Sequence, residues 1–177
     1  SYAAPDQALR NSVRLMQEGG ARMVKLESGA EQVRIVEFLS GHDIAVCAHL
    51  GLKPQSVHKT GGFRVQGRGV DAARRILDSA KALEAAGADI VLLECIPNEL
   101  GAEISAALTV PVIGIGAGPA TDGQILVLYD ILDITSGRKP RFVQNFMEGA
   151  GNNLEAIRRY VRAIKDASYP GPEHGFA

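Results

Sequence analysis

The chain has 177 residues, of which 46% are hydrophobic and 22% are charged, and its formal net charge is −1. This balance is typical of a globular domain, and a fold of this length buries roughly 70% of the surface that the unfolded chain exposes. With 19 basic and 20 acidic residues and no tryptophan, the sequence offers neither a basic field nor many stacking aromatics. No apolar run reaches the roughly 18 residues of a membrane helix. We therefore expect neither nucleic acid nor a membrane as a partner.

The two cysteines, Cys47 and Cys95, both lie in apolar surroundings. This pattern predicts two reduced thiols in the core of an intracellular protein. No cationic leader followed by an apolar segment is visible, so we expect a cytoplasmic location.

The predicted elements alternate between helices and short apolar strands. Helical spacing and end signals such as Pro5 predict five helices, and runs of Val, Ile and Leu predict five strands. This alternation predicts an α/β fold with a parallel sheet. In chain order we predict helix 5–19, strand 22–27, helix 30–41, strand 44–49, helix 70–87, strand 89–94, helix 98–108, strand 110–116, strand 125–132 and helix 153–167.

The alternation of helices and strands is interrupted at residues 51–69, which contain five glycines and several basic residues. A segment of this length is usually a lid, a binding loop or disordered. Five strands are too few for a closed (β/α)8 barrel, which has eight strands and typically about 250 residues. The alternatives are an open, doubly wound sheet or a barrel of which this chain carries a part. We divide the chain into a (β/α) portion, 1–150, and a C-terminal helix with an extended arm, 151–177.

Ionisable residues close three successive predicted strands. Lys25 and Glu27 share one face of the first strand, His49 ends the second and Glu94 ends the third. Ligands of parallel α/β folds bind at the carboxyl ends of the strands, so these four side chains are candidates for one site. Each has a plainer interpretation: a solvated carboxylate, a structural histidine or a Lys25–Glu27 pair. The coincidence on three strands favours a common site, because a buried unpaired charge is costly.

This set of residue types suits proton removal from carbon. A carboxylate such as Glu94 in a sheltered site can act as the base. The enolate that results needs a cation or a hydrogen-bond donor to stabilise its negative charge. Glu27 is a plausible oxygen ligand for Mg²⁺, although one carboxylate alone does not define a metal site.

The fourth strand ends in the glycine-rich run 114–118. It is similar to a phosphate-binding loop but has no following lysine and does not match a dinucleotide fingerprint. We favour the interpretation that its glycines allow a ligand or another backbone to approach closely. Asp122 is interpreted as part of a turn, and Asp130 is left undecided.

Seven strings, together with the C-terminus, resemble the ketopantoate (3-methyl-2-oxobutanoate) hydroxymethyltransferase family. The resemblance extends in order over essentially the whole chain, and the string at 61–69 is highly specific. The strings are KLESG at 25–29, AHLGL at 48–52, PQSV at 54–57, GGFRVQGRG at 61–69, LLECIP at 92–97, GIGAG at 114–118 and DGQILV at 122–127, with YPGPEH at 169–174.

The resemblance implies a (β/α)8 TIM barrel of the phosphoenolpyruvate/pyruvate type whose N-terminal strands are missing from this chain. It implies transfer of a hydroxymethyl group from 5,10-methylenetetrahydrofolate to 3-methyl-2-oxobutanoate through a magnesium-bound enolate, in pantothenate biosynthesis. In that family the missing part carries further metal-binding aspartates, so we expect weak metal binding without it. The resemblance also implies a homo-oligomer, a decamer.

The same resemblance suggests a role for each candidate residue. Glu94 matches the catalytic base that takes the proton from C3. Lys25 and His49 match substrate-binding positions, and Glu27 matches a carboxylate of the Mg²⁺ site.

Three other functions stay open at this point. One is a different carbon–carbon lyase that acts on 2-oxo acids in the same type of barrel. Another is an inactive fragment that serves only in assembly. A weaker one is an open nucleotide-binding sheet that uses residues 114–118.

Overall fold

The computed structural model describes residues 2–177, apart from the side chain of Thr60; Ser1, the first residue of the predicted first portion, lies outside the described residues. The five predicted helices and four of the five predicted strands are confirmed, most of them with shorter ends. The strands are β1 (Val24–Glu27), β2 (Val46–Gly51), β3 (Ile90–Glu94), β4 (Val112–Ile115) and β5 (Gly123–Gln124). The helices are α1 (Pro5–Gln17), α2 (Val33–Ser40), α3 (Val57–Thr60), α4 (Val70–Ala85), α5 (Asn98–Ala107), α6 (Leu128–Ile131) and α7 (Asn153–Lys165), with 3-10 helices at Ala30–Gln32, Pro54–Ser56 and Pro172–His174.

The strands form one parallel sheet in the order β1-β2-β3-β4-β5. Each strand therefore pairs with the strand next to it in the sequence, and the order never reverses. A doubly wound sheet contains such a reversal at its ligand-binding crevice. The open nucleotide-binding sheet is thus the wrong architecture for the described residues.

One face of the sheet packs against the helices α1, α2, α4 and α5. Alternate strand residues supply this core, because successive side chains of a strand point to opposite faces. Val46, Val91 and Leu93 are fully buried there, against helix residues such as Leu39 and Leu83. This face holds the largest apolar cluster of the described residues.

The opposite face is covered differently. Cys47, Leu92 and Ile115 point to this side and pack with Phe142 and, less deeply, with Phe176. The sequence analysis expected helices on both faces, but α1, α2, α4 and α5 all pack against the other face. Segments near residues 142 and 176 cover part of this face, which also carries charged residues at the carboxyl ends of β1, β2 and β3.

The fifth strand lies just before the predicted range and is only two residues long. The apolar run 125–132 was expected to be a strand, but β5 ends at Gln124 and α6 begins at Leu128. The backbone N–H groups of Asp130 and Ile131 both donate to the Val127 carbonyl, at 2.9 and 3.1 Å. Asp130 and Ile131 are adjacent and both buried, which a strand with one covered face does not allow. A continuous apolar run carries no period that separates helix from strand.

The C-terminal segment was expected to be an extended arm, but it folds back onto the chain. It contains the short 3-10 helix Pro172–His174, and Tyr169 and His174 are buried. Asn98 N–H donates to the Phe176 carbonyl at 2.9 Å, and Phe176 N–H donates to Asn98 Oδ1 at 3.1 Å. The arm therefore docks where α5 begins, just after β3.

Two further expectations concern the long segment 51–69 and the membrane. The segment is not wholly irregular, because it contains the 3-10 helix Pro54–Ser56 and α3. Within residues 2–177, no helix is long and apolar enough to cross a bilayer.

Candidate functional site

Strand alternation brings the four predicted site residues to one face of the sheet. The backbone register pairs Glu27 of β1 with His49 of β2. It also pairs Gly51 of β2 with Glu94 of β3, so Glu94 lies one step nearer the carboxyl edge. Lys25 lies on the same face, two residues before Glu27. We call Lys25, Glu27, His49 and Glu94 the charged face.

His49 and Glu94 are in direct contact. His49 Nε2 lies 3.1 Å from Glu94 Oε2, with side-chain exposures of 1% and 17%. The approach lacks hydrogen-bond alignment, so neither ring nitrogen of His49 has a hydrogen-bond partner within residues 2–177. A buried imidazole without such a partner is costly, and a bound substrate could satisfy it.

Glu27 has one oxygen engaged and one free. Its Oε1 accepts a hydrogen bond from the Gln55 backbone N–H at 3.1 Å. Its Oε2 is buried and has no partner among the described residues. Burial raises the pKa of Tyr2, and the nearby Glu27 charge raises it further, while a backbone hydrogen bond at Glu27 opposes the rise. Tyr2 therefore lies beside Glu27.

Lys25 is the exposed member of the charged face. It lies opposite Cys47 in the register. Burial raises the pKa of the Cys47 thiol to about 11, and the Lys25 charge opposes this rise. Burial also raises the pKa of the Cys95 thiol to about 12, with a second contribution from the Glu94 charge. Both shifts favour the protonated thiol, which is the poorly nucleophilic form.

The residue after Glu94 has an uncommon backbone conformation. Cys95 has φ of 49°, which is rare and strained for a residue other than glycine. Its N–H donates to the Ile115 carbonyl at 2.9 Å, and its carbonyl accepts from the Gln66 N–H at 2.8 Å. These bonds turn the chain sharply after Glu94 and tie the glycine-rich segment to the end of β3.

The glycines at 114–118 accommodate the protein's own side chains. A Cβ atom on Gly114 would lie 2.7 Å from Thr121 Oγ1, and one on Gly118 would lie 2.9 Å from Asn98. A Cβ on Gly116 would collide with the Phe142 ring. Close packing within the chain thus explains this run, and the likeness to a phosphate-binding loop was misleading.

The two remaining aspartates are structural. Asp122 Oδ2 accepts the N–H of Val112 at 2.8 Å, which holds the start of β4. Asp130 is buried and accepts from the Thr135 hydroxyl at 2.6 Å.

The described residues contain no group of three or more His, Cys, Asp or Glu side chains that could hold a metal ion. The free Glu27 Oε2 is one hard oxygen donor of the kind that Mg²⁺ prefers. Since Mg²⁺ usually keeps several waters and binds through one or two carboxylates, Glu27 fits as one ligand of such an ion.

The sequence analysis did not identify two residues that contact Glu27. Tyr2 precedes the first helix and carries no motif that would link it to Glu27. Gln55 lies in a string already quoted for its resemblance, but it acts through its backbone, which side-chain patterns do not reveal.

Comparison with known proteins gives consistent results. The model of the ketopantoate hydroxymethyltransferase family matches residues 1–172. The chain is 58% identical over 176 residues to 3-methyl-2-oxobutanoate hydroxymethyltransferase of Alkalilimnicola ehrlichii, which covers 99% of this chain and 64% of the relative. It is 56% identical over 170 residues to the protein of that name from Nitrosococcus oceani, covering 96% and 64%. The chain thus spans just under two thirds of the length of these relatives.

Among solved structures, the chain is similar to a chloride-inhibited dihydrodipicolinate synthase from Acinetobacter baumannii. The TM-score is 0.43 and the identity is 16%, over 72% of this chain and 45% of that chain. A likeness this weak carries no argument about the site.

Proposed function

Because the chain belongs to the ketopantoate hydroxymethyltransferase family, we propose that the full-length protein makes ketopantoate. In this proposal it transfers a hydroxymethyl group from 5,10-methylenetetrahydrofolate to 3-methyl-2-oxobutanoate. The single observation that carries the proposal is the 58% identity to a relative of that name over 99% of this chain. The same observation favours a transferase over a carbon–carbon lyase or an inactive assembly module.

We also propose that the sheet is part of a (β/α)8 barrel. The consecutive strand order and the single helix-covered face support this architecture. The 64% coverage of the relatives supports the view that further family sequence supplies the remaining strands. On this view the charged face lines the barrel interior, near the carboxyl ends of the strands, where barrel enzymes have their sites.

Glu94 is the proposed base that removes the C3 proton of the keto acid. It ends a strand whose other residues pack in the core, and its side chain keeps 17% exposure toward the charged face. The Cys95 turn fixes the backbone next to it. A base needs a defined position within hydrogen-bond reach of the proton, and this rigid strand end provides one.

His49 and Lys25 are the proposed substrate-binding residues. His49 contacts Glu94, and its ring nitrogens are free of hydrogen bonds within residues 2–177, so it can donate to an oxygen of the keto acid. Lys25 is exposed on the same face and suits the substrate carboxylate by charge. Together the two residues orient C3 toward Glu94.

Glu27 is the proposed protein ligand of Mg²⁺ from this chain, through its free Oε2. A bound Mg²⁺ would stabilise negative charge on the substrate oxygen. The Gln55 backbone N–H holds the Glu27 carboxylate in place, and Tyr2 contacts the Glu27 backbone.

The proposed homo-oligomer has support from exposed apolar residues. Leu128 and Tyr129 of α6 and Leu154 of α7 are more than half exposed. α6 and α7 contact each other, and exposed apolar side chains on adjoining elements are typical of interfaces. Sedimentation of the full-length protein tests this, since a monomer at all concentrations would contradict it.

A direct test of the reaction uses the full-length protein with 3-methyl-2-oxobutanoate and 5,10-methylenetetrahydrofolate labelled with ¹³C in the methylene group. We expect ketopantoate that carries the label, detected by mass spectrometry, and equal amounts of tetrahydrofolate. Cleavage of the keto acid without folate consumption would instead indicate a lyase. The absence of both reactions would support an assembly role and contradict the proposal.

A further inference from the structure

A cavity lies close to the charged face, on the helix side of the sheet. It has a volume of about 780 Å³ and lies between α2 and α4, where β1 and β2 end. Ser28 and Gly29, which follow Glu27, line it, as does Gly51, which pairs with Glu94 in the register. Small-molecule pockets usually have volumes of about 300–1,000 Å³. The cavity therefore has the size of a ligand site and shares an edge with the charged face.

Three basic side chains, Arg34, Lys53 and Arg75, line this cavity. They come from α2, from the segment after β2 and from α4. Within residues 2–177, none of the three side chains makes an ion pair or a hydrogen bond. Three like charges around one cavity repel one another, so their convergence favours an anionic occupant.

Two acidic side chains also line the cavity, and they differ in role. Asp78 lies 3.9 Å from Arg74 on the exposed surface of α4 and is partly compensated there. Glu31 is not paired within the described chain. A Cβ on Gly29 would lie 3.0 Å from Glu31 Oε2 and 3.7 Å from Lys53 Nζ, so both charges flank the same point. Glu31 thus competes with any bound anion for Lys53.

The walls between the charges are apolar. Val33, Leu50 and Ile76 contribute to the lining. A ligand that fits must therefore combine an apolar body with an anionic end that carries more than one negative charge.

We propose that this cavity binds the glutamate tail of the folate co-substrate, an inference that rests on the proposed function. The tail carries two carboxylates beyond an apolar aminobenzoyl ring, which matches the three cations and the apolar walls. Arginine binds carboxylates through paired hydrogen bonds, which favours Arg34 and Arg75 as partners. Gly51 lines the cavity and also pairs with Glu94, so a tail in the cavity places the one-carbon end close to the charged face.

The test measures binding, so that it does not depend on turnover. The dissociation constants of 5-formyltetrahydrofolate and of its pteroate analogue, which lacks the glutamate, are measured by calorimetry with the full-length protein. We expect Arg75→Glu to weaken binding of the folate by tenfold or more, since a lost charged hydrogen bond typically has an effect of this size. Binding of the pteroate analogue should be unchanged.

Two further variants supply controls of opposite kind. Lys81→Glu makes the same charge change at another exposed cation of α4, one that lies outside the cavity lining, and should leave both affinities within about twofold. Glu31→Gln removes the competing carboxylate and should strengthen folate binding severalfold. Folding of each variant is checked by circular dichroism.

The outcomes separate the two proposals. Equal weakening for both ligands, or an equal effect of Lys81→Glu, would overturn the tail site. Tail-dependent binding without labelled ketopantoate would support the cavity and contradict the proposed reaction. Labelled product, with binding that does not depend on the glutamate tail, would support the proposed reaction and contradict the tail site. Binding of inorganic phosphate alone, weakened to the same degree by Arg75→Glu, would also overturn the tail site.

Discussion

The two faces of the central sheet are built from alternate residues of the same strands, but they differ in the polarity of their side chains and in what covers them. The helix-covered face contains fully buried aliphatic side chains such as Val91 and Leu93. The charged face contains His49, whose ring nitrogens have no hydrogen-bond partner within the described chain, and Glu27, with one free buried oxygen. One face therefore supplies packing energy, while the other keeps polar atoms available for a ligand.

The neighbours Leu93 and Glu94 offer the sharpest test of this difference. Leu93 is fully buried among the helices. We expect Leu93→Ala to lower the free energy of unfolding of the full-length protein by about 2–5 kcal/mol, because it leaves a cavity. Urea denaturation measures this, and Leu93→Met, which keeps the volume, should cost less than about 1.5 kcal/mol. A loss below 1 kcal/mol for Leu93→Ala would mean that the helix face is not the main source of stability.

A thiol on the charged side gives a pH-dependent test. The pKa of Cys47 rises to about 11 on folding because of burial. A thiol pKa that is higher in the folded than in the unfolded protein contributes stability at pH values below the unfolded pKa. This contribution is lost as the pH rises towards 11. We expect wild-type stability to fall above about pH 9 by up to about 1.4 kcal/mol per pH unit more than that of Cys47→Ala. Parallel curves for the two proteins would contradict the burial of this thiol.

The helix side also holds a charged group, and there the charge serves structure. Glu84 Oε1 accepts from Thr109 N–H at 2.6 Å, Thr109 Oγ1 at 2.8 Å and Val110 N–H at 3.0 Å. The Thr109 N–H is the main cause that holds the pKa of Glu84 below its usual value, while desolvation partly opposes the shift. This stability is present above the usual pKa and lost in acid.

We therefore expect Glu84→Gln to cost about 1 kcal/mol at pH 7, a low value because solvent screens the half-exposed group. The difference from wild type should shrink near pH 3. The exposed Glu37→Gln variant is the control and should stay within about 0.5 kcal/mol at both pH values. If the Glu84→Gln deficit were constant with pH, its charge would not be the cause.

Much of this difference between the two faces of the sheet can be predicted from the sequence. Apolar runs that end in Glu27, His49 and Glu94 predicted both the strands and a common site, because strand periodicity fixes the face of each side chain. The prediction of a strand at 125–132 was wrong because an unbroken apolar stretch has no such period. There the local hydrogen bonds to Val127 favour a helical turn.

Other features depend on contacts that no local pattern encodes. Tyr2 reaches Glu27 across 25 positions of the chain, and Gln55 acts through its backbone N–H. The cavity between α2 and α4 collects Arg34, Lys53 and Arg75 from three separate elements. In the sequence each of these cations is an ordinary surface residue, and only the packing of the helices brings them together.

The central claim is that Glu94 on the charged face removes the C3 proton. Exchange of that proton into deuterium oxide, followed by NMR of 3-methyl-2-oxobutanoate with the full-length protein, tests it without the folate. We predict that Glu94→Gln slows the exchange by about 10²–10⁴-fold, while keto-acid binding persists and the free energy of unfolding changes by less than about 1 kcal/mol. Exchange at the wild-type rate in a folded Glu94→Gln protein would contradict the account.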